Sequence, residues 1–166
     1  MSADSLERLA VYAGSFDPVT LGHTDLIERA AALFSDVIVA LGVHPTRSPL
    51  FSIDERMALV SAVSRHLPNV KVDSFEGLLI EYCRQRGARV IVRGLRAATD
   101  FEYELQIAHA NADLCPEIDT MFLPTRTKNG FISASLVREI ASHGGDVSRY
   151  APAVVCQALK SKFGRE

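Results

Sequence analysis

Two glycines, a serine and a histidine crowd into one stretch near the start of the chain, Tyr12-Ala13-Gly14-Ser15-Phe16-Asp17-Pro18-Val19-Thr20-Leu21-Gly22-His23. The apolar run Leu9-Ala10-Val11-Tyr12 before it reads as a strand. After it, Leu26, Ile27, Ala30, Ala31 and Phe34 fall on one helical stripe within Asp25–Phe34. A strand that turns through glycine into a helix commits the chain to βα units. Gly14 permits positive φ and close approach of a ligand to the backbone. Gly22 removes a side chain where the helix begins, and the free N–H groups of a helix start attract anions. A histidine placed there, His23, can donate to a phosphate oxygen. The plain alternative is an ordinary strand-to-helix turn with a capping histidine.

The rest of the chain repeats the alternation. Val37–Gly42 is continuously apolar, as a strand buried on both faces of a parallel sheet must be. After the loop 43–51, Ser52 and Glu55 form a capping box for a helix carrying Met57, Leu59, Val60, Val63 and Leu67, stopped before Pro68. Further strands are expected at Val70–Asp73, Val90–Val92 and Thr120–Leu123. Further helices are expected at Leu78–Arg86, closed by Gly87, at Leu136–His143, closed by Gly144-Gly145, and at about Pro152–Lys162. Thr99 and Glu102 suggest a second capping box, opening a helix with Phe101, Leu105, Ala108 and Ala112 on one stripe. The pattern predicts an α/β fold with a doubly wound five-stranded parallel sheet. Ligands bind such sheets beyond the carboxyl ends of the strands, where strand order reverses. The loops Gly14–His23, His44–Pro49, Arg93–Arg96 and Pro124–Ser135 all belong to that rim by topology.

With 166 residues and 48% apolar content, one domain over 1–166 is expected, its core at about 9–159. A net charge of −2 with interspersed signs argues against a general nucleic-acid or membrane surface. The polar start Met1–Arg8 is no signal peptide, and no apolar run is long enough to span a bilayer. Cys83, Cys115 and Cys156 are odd in number and far apart, which suits free thiols in a reducing cytoplasm. His44, His66, His109 and His143 have no evident partners. No His, Cys and Asp set has metal-site spacing, so no protein-held metal is expected.

Against this mildly acidic background, Arg47, Arg93, Arg96, Arg126, Lys128 and Arg138 all fall on the expected rim, which implies a polyanionic ligand. Arg93 and Arg96 flank Gly94, and two guanidiniums around a glycine suit phosphate. Ser133 and Ser135 put two hydroxyls at a helix start, where Ser135 can cap the helix and the amides can bind phosphates.

The runs Gly-Ser-Phe-Asp-Pro and Thr-Leu-Gly-His resemble the signature of the (His/Thr)-x-Gly-His nucleotidyltransferases. With Leu-Phe-Ser-Ile-Asp-Glu-Arg at 50–56, Arg-Gly-Leu-Arg-Ala-Ala-Thr-Asp-Phe-Glu-Tyr-Glu at 93–104 and Phe-Ile-Ser-Ala-Ser-Leu-Val-Arg-Glu at 131–139, they resemble the bacterial phosphopantetheine adenylyltransferase family from about Leu9 to Leu159. The Asp-Phe-Glu-Tyr-Glu run separates this family from its cousins. The resemblance implies a Rossmann-like nucleotidyltransferase fold and a cytoplasmic enzyme, a homohexamer, that converts ATP and 4′-phosphopantetheine into dephospho-coenzyme A and pyrophosphate with Mg²⁺, subject to inhibition by coenzyme A. It implies that Ser15 bonds both reacting phosphates, that His23 stabilises charge on the α-phosphate, and that Arg93 and the Leu79 backbone hold the phosphopantetheine. ATP falls to Ser15, Phe16, His23, Gly94, Leu95, Arg96, Glu104, Asn129, Gly130, Phe131, Ile132, Ser133, Ala134 and Ser135. Two departures stand out. Arg47 takes the place of a phosphate-contacting lysine, and Ser133-Ala134-Ser135 replaces three serines. The alternatives are a sibling adenylyl- or cytidylyltransferase using another phosphate acceptor, and a nucleotide-sensing module without catalysis.

Overall fold

The structure is a computed structural model that describes residues 6–46 and 48–164. Arg47 and the first five residues of the polar start lie outside the described residues.

The chain runs β1 (Leu6–Gly14), α1 (Leu21–Leu33), β2 (Phe34–Val43), α2 (Ile53–Ser64), β3 (Val70–Glu76), α3 (Leu79–Arg86), β4 (Val90–Leu95), α4 (Ala98–Leu114), β5 (Asp119–Pro124), a single 3₁₀ turn (Thr127–Asn129), α5 (Ala134–Ser142) and α6 (Ala153–Lys162). All strand pairs are parallel, in the order β3-β2-β1-β4-β5. This is the expected doubly wound sheet. The chain moves outward from β1 through β2 to β3, then returns to the other side of β1 for β4 and β5. The reversal opens a crevice beyond the carboxyl ends of β1 and β4.

Alternate residues of the central strands feed two cores. Ala10, Tyr12, Val37, Val39, Val90 and Val92 pack with Leu26, Ile27, Val60, Val137, Val155 and Leu159 of α1, α2, α5 and α6. Val11, Ala13, Ile38, Ala40 and Ile91 pack with Ile80, Tyr82 and Cys83 of α3 and with Cys115 and Ile118. This two-sided burial explains the unbroken apolar runs of β1 and β2. Helix α4 differs, having no buried residue, with Phe101, Tyr103 and Leu114 exposed.

Several local expectations shift for physical reasons. Helix α1 begins at Leu21 rather than Asp25 because Thr20 caps it. The Ser52–Glu55 capping box forms, but α2 ends at Ser64. Gly87 takes the left-handed conformation after α3, at φ 70°, which is the role expected of it. The second capping box, Thr99–Glu102, does not form. α4 begins one residue before Thr99, and the Asp100 carboxylate reaches back to accept the Arg96 N–H at 3.3 Å. Helix α5 is capped by Ser133, not Ser135. Ser133 has extended backbone and sits three residues ahead of the Leu136 N–H, which donates to its hydroxyl at 3.1 Å, whereas Ser135 already lies in the first turn.

Candidate active site

The turn after β1 is pinned before it reaches α1. The Thr20 hydroxyl accepts the His23 N–H at 3.4 Å, and His23 Nδ1 accepts the Thr20 N–H at 3.0 Å. This is a capping box with histidine in the place of the usual glutamate. The capping role and the phosphate role read from the sequence are therefore compatible. A backbone N–H can only donate, so Nδ1 carries no proton and the neutral ring holds its proton on Nε2. Burial pushes the imidazole pKa down to about 4, with the Arg96 charge adding to the effect. His23 is thus a neutral hydrogen-bond donor at physiological pH.

Phe16 shapes the wall beside it. Its ring is 2% exposed and meets His23 edge-on at 5.0 Å and Tyr12 at 5.4 Å. Its backbone sits at φ 46°, in a region where a bulky residue is held only by its surroundings. A Cβ on Gly14 would come within 3.1 Å of the Phe16 ring, so glycine there is a condition of this seat. Asp17, 8% exposed, accepts the N–H groups of Leu50 and Phe51 at 2.9 Å each.

A cavity of about 420 Å³ occupies the crevice. Ser15, Phe16 and His23 line it from the β1 turn, Arg93, Gly94 and Arg96 from β4 and its end, and Glu104 from α4. Asn129, Ile132 and Ser133 close it from the segment between β5 and α5, and Ala134 and Ser135 from the first turn of α5. Leu95, Gly130, Phe131 and Leu79 were expected at the site but are not among its lining residues. Leu79 opens α3 and packs on the second core. Tyr12, Thr20, Leu26, Thr99, Asp100, Tyr103 and Thr125 line the cavity without having been singled out as site residues, and Gly22, expected at the anion-attracting helix start, lines it too. Thr20 could have been found from the capping pattern, with histidine admitted at its fourth position.

The arginines divide. Arg93 donates from Nε and Nη2 to the two carboxylate oxygens of Glu104 at 2.7 and 2.6 Å, and from Nη1 to the Ala13 carbonyl at 2.9 Å. Burial opposes its charge, but the Glu104 bonds prevail and hold its pKa above the ordinary value. Glu104 therefore orients Arg93, a role its position on a helix did not reveal. Arg96 pairs with Asp100 at 3.4 Å and reaches the Ile132 carbonyl at 3.5 Å. The other described cations of the expected rim lie elsewhere. Arg126 is exposed and pairs with Asp25 at 2.8 Å, Lys128 is exposed, and Arg138 bonds the Asp17 carbonyl. Among the described residues the cavity thus gathers two of those guanidiniums, Arg126 and Arg138 being held by partners elsewhere. The loop after β2 does not line the cavity with any described residue. Among the described residues no group of three or more His, Cys, Asp or Glu is arranged for a metal, and no helix is long and apolar enough to cross a membrane.

A neutral imidazole whose Nε2–H has no hydrogen-bond partner among the described residues, two guanidiniums and a capped helix start around one cavity suit a phosphate that gains charge during reaction. Known proteins agree. The profile of the cytidylyltransferase-like family matches residues 11–140. The chain is 51% identical over 156 residues to the phosphopantetheine adenylyltransferase of Heliobacterium modesticaldum, covering 94% of this chain and 93% of the relative. It is 54% identical over 155 residues to that of Thermosynechococcus vestitus, covering 93% and 92%. Its fold matches solved structures at low identity. One is the Plasmodium falciparum nicotinic acid mononucleotide adenylyltransferase complexed with NaAD, at TM-score 0.64 and 13% identity over 95% of this chain and 96% of that one. Another is a bifunctional NMN adenylyltransferase/ADP ribose pyrophosphatase from Francisella tularensis, at TM-score 0.74 and 15% identity over 97% of this chain and 51% of that one. Matched along nearly its whole length at about half identity, the chain belongs to the cytidylyltransferase-like nucleotidyltransferases and, within them, to the phosphopantetheine adenylyltransferase family.

Proposed function

We propose that the cavity transfers the adenylyl group of ATP to 4′-phosphopantetheine, giving dephospho-coenzyme A and pyrophosphate in the penultimate step of coenzyme A biosynthesis. The acceptor's phosphate oxygen bonds to the α-phosphorus as the bond from that phosphorus to the bridging oxygen of the β-phosphate breaks, and pyrophosphate leaves. No covalent intermediate on the protein is needed. Catalysis is alignment plus stabilisation of charge on the α-phosphate.

The observation that carries this reading is the Thr20–His23 pair, which aims one Nε2–H donor from the cavity wall. In this mechanism Nε2–H donates to a non-bridging oxygen of the α-phosphate. The Ser15 hydroxyl bonds the two reacting phosphates, and Arg93, steadied by Glu104, holds the acceptor's phosphate. Gly94, Leu95, Arg96, Phe16 and the stretch Asn129–Ser135 hold ATP, with the start of α5 receiving its distal phosphates. The Leu79 backbone takes the pantetheine arm. Arg47 replaces a lysine with a planar fork of equal charge.

Mg²⁺ fits as a companion of the nucleotide. Asp100 and Glu104, the carboxylates on the cavity wall, are engaged by Arg96 and Arg93, and a hard cation with few protein ligands is what a triphosphate brings with it. Bound there, it would neutralise charge on the phosphates. Helix α4 buries none of its residues and leaves Phe101 41%, Tyr103 66% and Leu114 61% exposed, apolar surface that neighbouring copies would cover; the homohexamer is the assembly that the family resemblance implies. Coenzyme A carries the product's own pantetheine and adenylate chemistry and would compete at the same cavity. We place the enzyme in the cytoplasm, consistent with its free thiols.

The test is pyrophosphate release with ATP and Mg²⁺ against a panel of acceptors. Release with 4′-phosphopantetheine, and little with nicotinamide mononucleotide or glycerol 3-phosphate, supports the assignment. Preference for another acceptor assigns a sibling reaction, and ATP binding without transfer to any of them favours a sensing module.

A further inference from the structure

Three guanidiniums from three different elements take alternate carbonyls along the end of β1 and the turn after it. Arg93 of β4 donates to Ala13 O at 2.9 Å, Arg56 of α2 to Ser15 O at 2.8 Å, and Arg138 of α5 to Asp17 O. Arg56 is unusual for a cation. It is 5% exposed, forms no ion pair among the described residues, and donates from Nε to Phe51 O at 3.2 Å. A buried charge without a carboxylate is costly unless hydrogen bonds satisfy it. Here backbone carbonyls do so, and they belong to the turn that carries Ser15 and to the segment that Asp17 bonds from the other side.

The arrangement has two consequences. Phe16, at φ 46°, needs neighbours that over-determine the turn, and clamps on the residues either side of it supply that. Carbonyl oxygens are also the negative ends of peptide dipoles. Those committed to guanidiniums do not face a phosphate, and the clamping charges raise the positive potential beneath the turn.

We propose that Arg56 and Arg138 are positioning residues for the transfer reaction: without touching substrate, they fix the Ser15 turn in the register that catalysis needs. The inference rests on the adenylyl-transfer reading. Arg56→Lys keeps the charge but cannot span both carbonyls. Arg138→Gln, at a partly exposed site, keeps a donor and removes the charge.

The experiment is steady-state kinetics on the full chain, alone and in a Ser15→Ala background, for variants whose circular dichroism and thermal midpoint match the parent. The expected result is a fall in kcat of about tenfold or more for either arginine variant, with KM for ATP within about twofold. In the Ser15→Ala background the same change should cost less than about twofold, because both act through one turn. A purely structural role predicts equal effects in the two backgrounds, and that additivity, or unchanged kcat in a folded variant, overturns the proposal. If Arg56→Lys does not fold, the Arg138→Gln cycle decides. A parent enzyme that makes no pyrophosphate refutes the reaction assigned to the cavity. In that event hydrogen exchange across residues 12–20 decides the clamp, faster exchange in Arg138→Gln supporting it and unchanged exchange contradicting it.

Discussion

Glu104 receives Arg93 with both carboxylate oxygens, across the 2.7 and 2.6 Å bonds that join α4 to β4. A bidentate pair of this kind fixes the plane of the guanidinium as well as its position. Arg93 therefore presents its remaining donors to the cavity in one orientation. Removing Glu104 should leave a mobile cation rather than an absent one. We expect Glu104→Ala to lower kcat/KM by about 10- to 100-fold, and to have little further effect when Arg93 is already alanine, a coupling within the range of about 0.5–3 kcal/mol found for contacting residues. A four-variant kinetic cycle measures it. Equal losses in both backgrounds would separate the two side chains.

The state of His23 sets a pH prediction. With its folded pKa at about 4, the ring is neutral from mildly acidic pH upward, so kcat should show no histidine titration between about pH 5.5 and 8. Stability carries the opposite mark. The unfolded chain takes up a proton near the ordinary histidine value, about 6.5, while the folded chain resists it to about 4. Between those values the unfolded state binds more protons, so this group's contribution to stability falls as pH is lowered through that window. The denaturant midpoint should fall less between pH 7 and pH 4.5 for His23→Gln than for the parent.

Gly94 tests packing beneath the cavity. A Cβ there would stand 2.4 Å from Leu26 Cδ1, in a side chain that is 4% exposed. Gly94→Ala should destabilise the protein by about 1–3 kcal/mol, as overpacking does. Leu26→Ala in the same chain should recover part of the clash at the expense of a cavity. Urea unfolding of the four variants checks the prediction, and full stability in Gly94→Ala alone would contradict it.

Asp17 is a buried acceptor with two backbone donors. Asp17→Ala would orphan the N–H groups of Leu50 and Phe51 at an expected cost of about 2–4 kcal/mol. Asp17→Asn keeps one acceptor oxygen and should lose less. The comparison is a matter of thermal or denaturant midpoints.

What the sequence disclosed and what it withheld have separate causes. The sheet, its parallel order and the crevice follow from local patterns, since a run such as Val37–Gly42 can only be buried on both faces. The Ser52–Glu55 box was legible because both halves lie within four residues. Thr99–Glu102 matched the same pattern and failed, because α4 begins at Ala98 and Thr99 already lies in its first turn. The arginines show the larger gap. Their placement on the rim followed from topology, but whether a guanidinium is free or engaged depends on residues far away in sequence. Arg138 meets Asp17 across 121 positions and Arg56 meets Ser15 across 41, and no local motif records such pairings.

Stabilisation of the α-phosphate rests on the Nε2–H of His23. The most direct measurement is turnover of His23→Ala beside the parent, with ATP, Mg²⁺ and 4′-phosphopantetheine, together with ATP affinity by calorimetry. The predicted result is a loss in kcat of at least about 10² with affinity nearly unchanged, as for a donor used mainly in the transition state. Turnover equal to the parent's would contradict it.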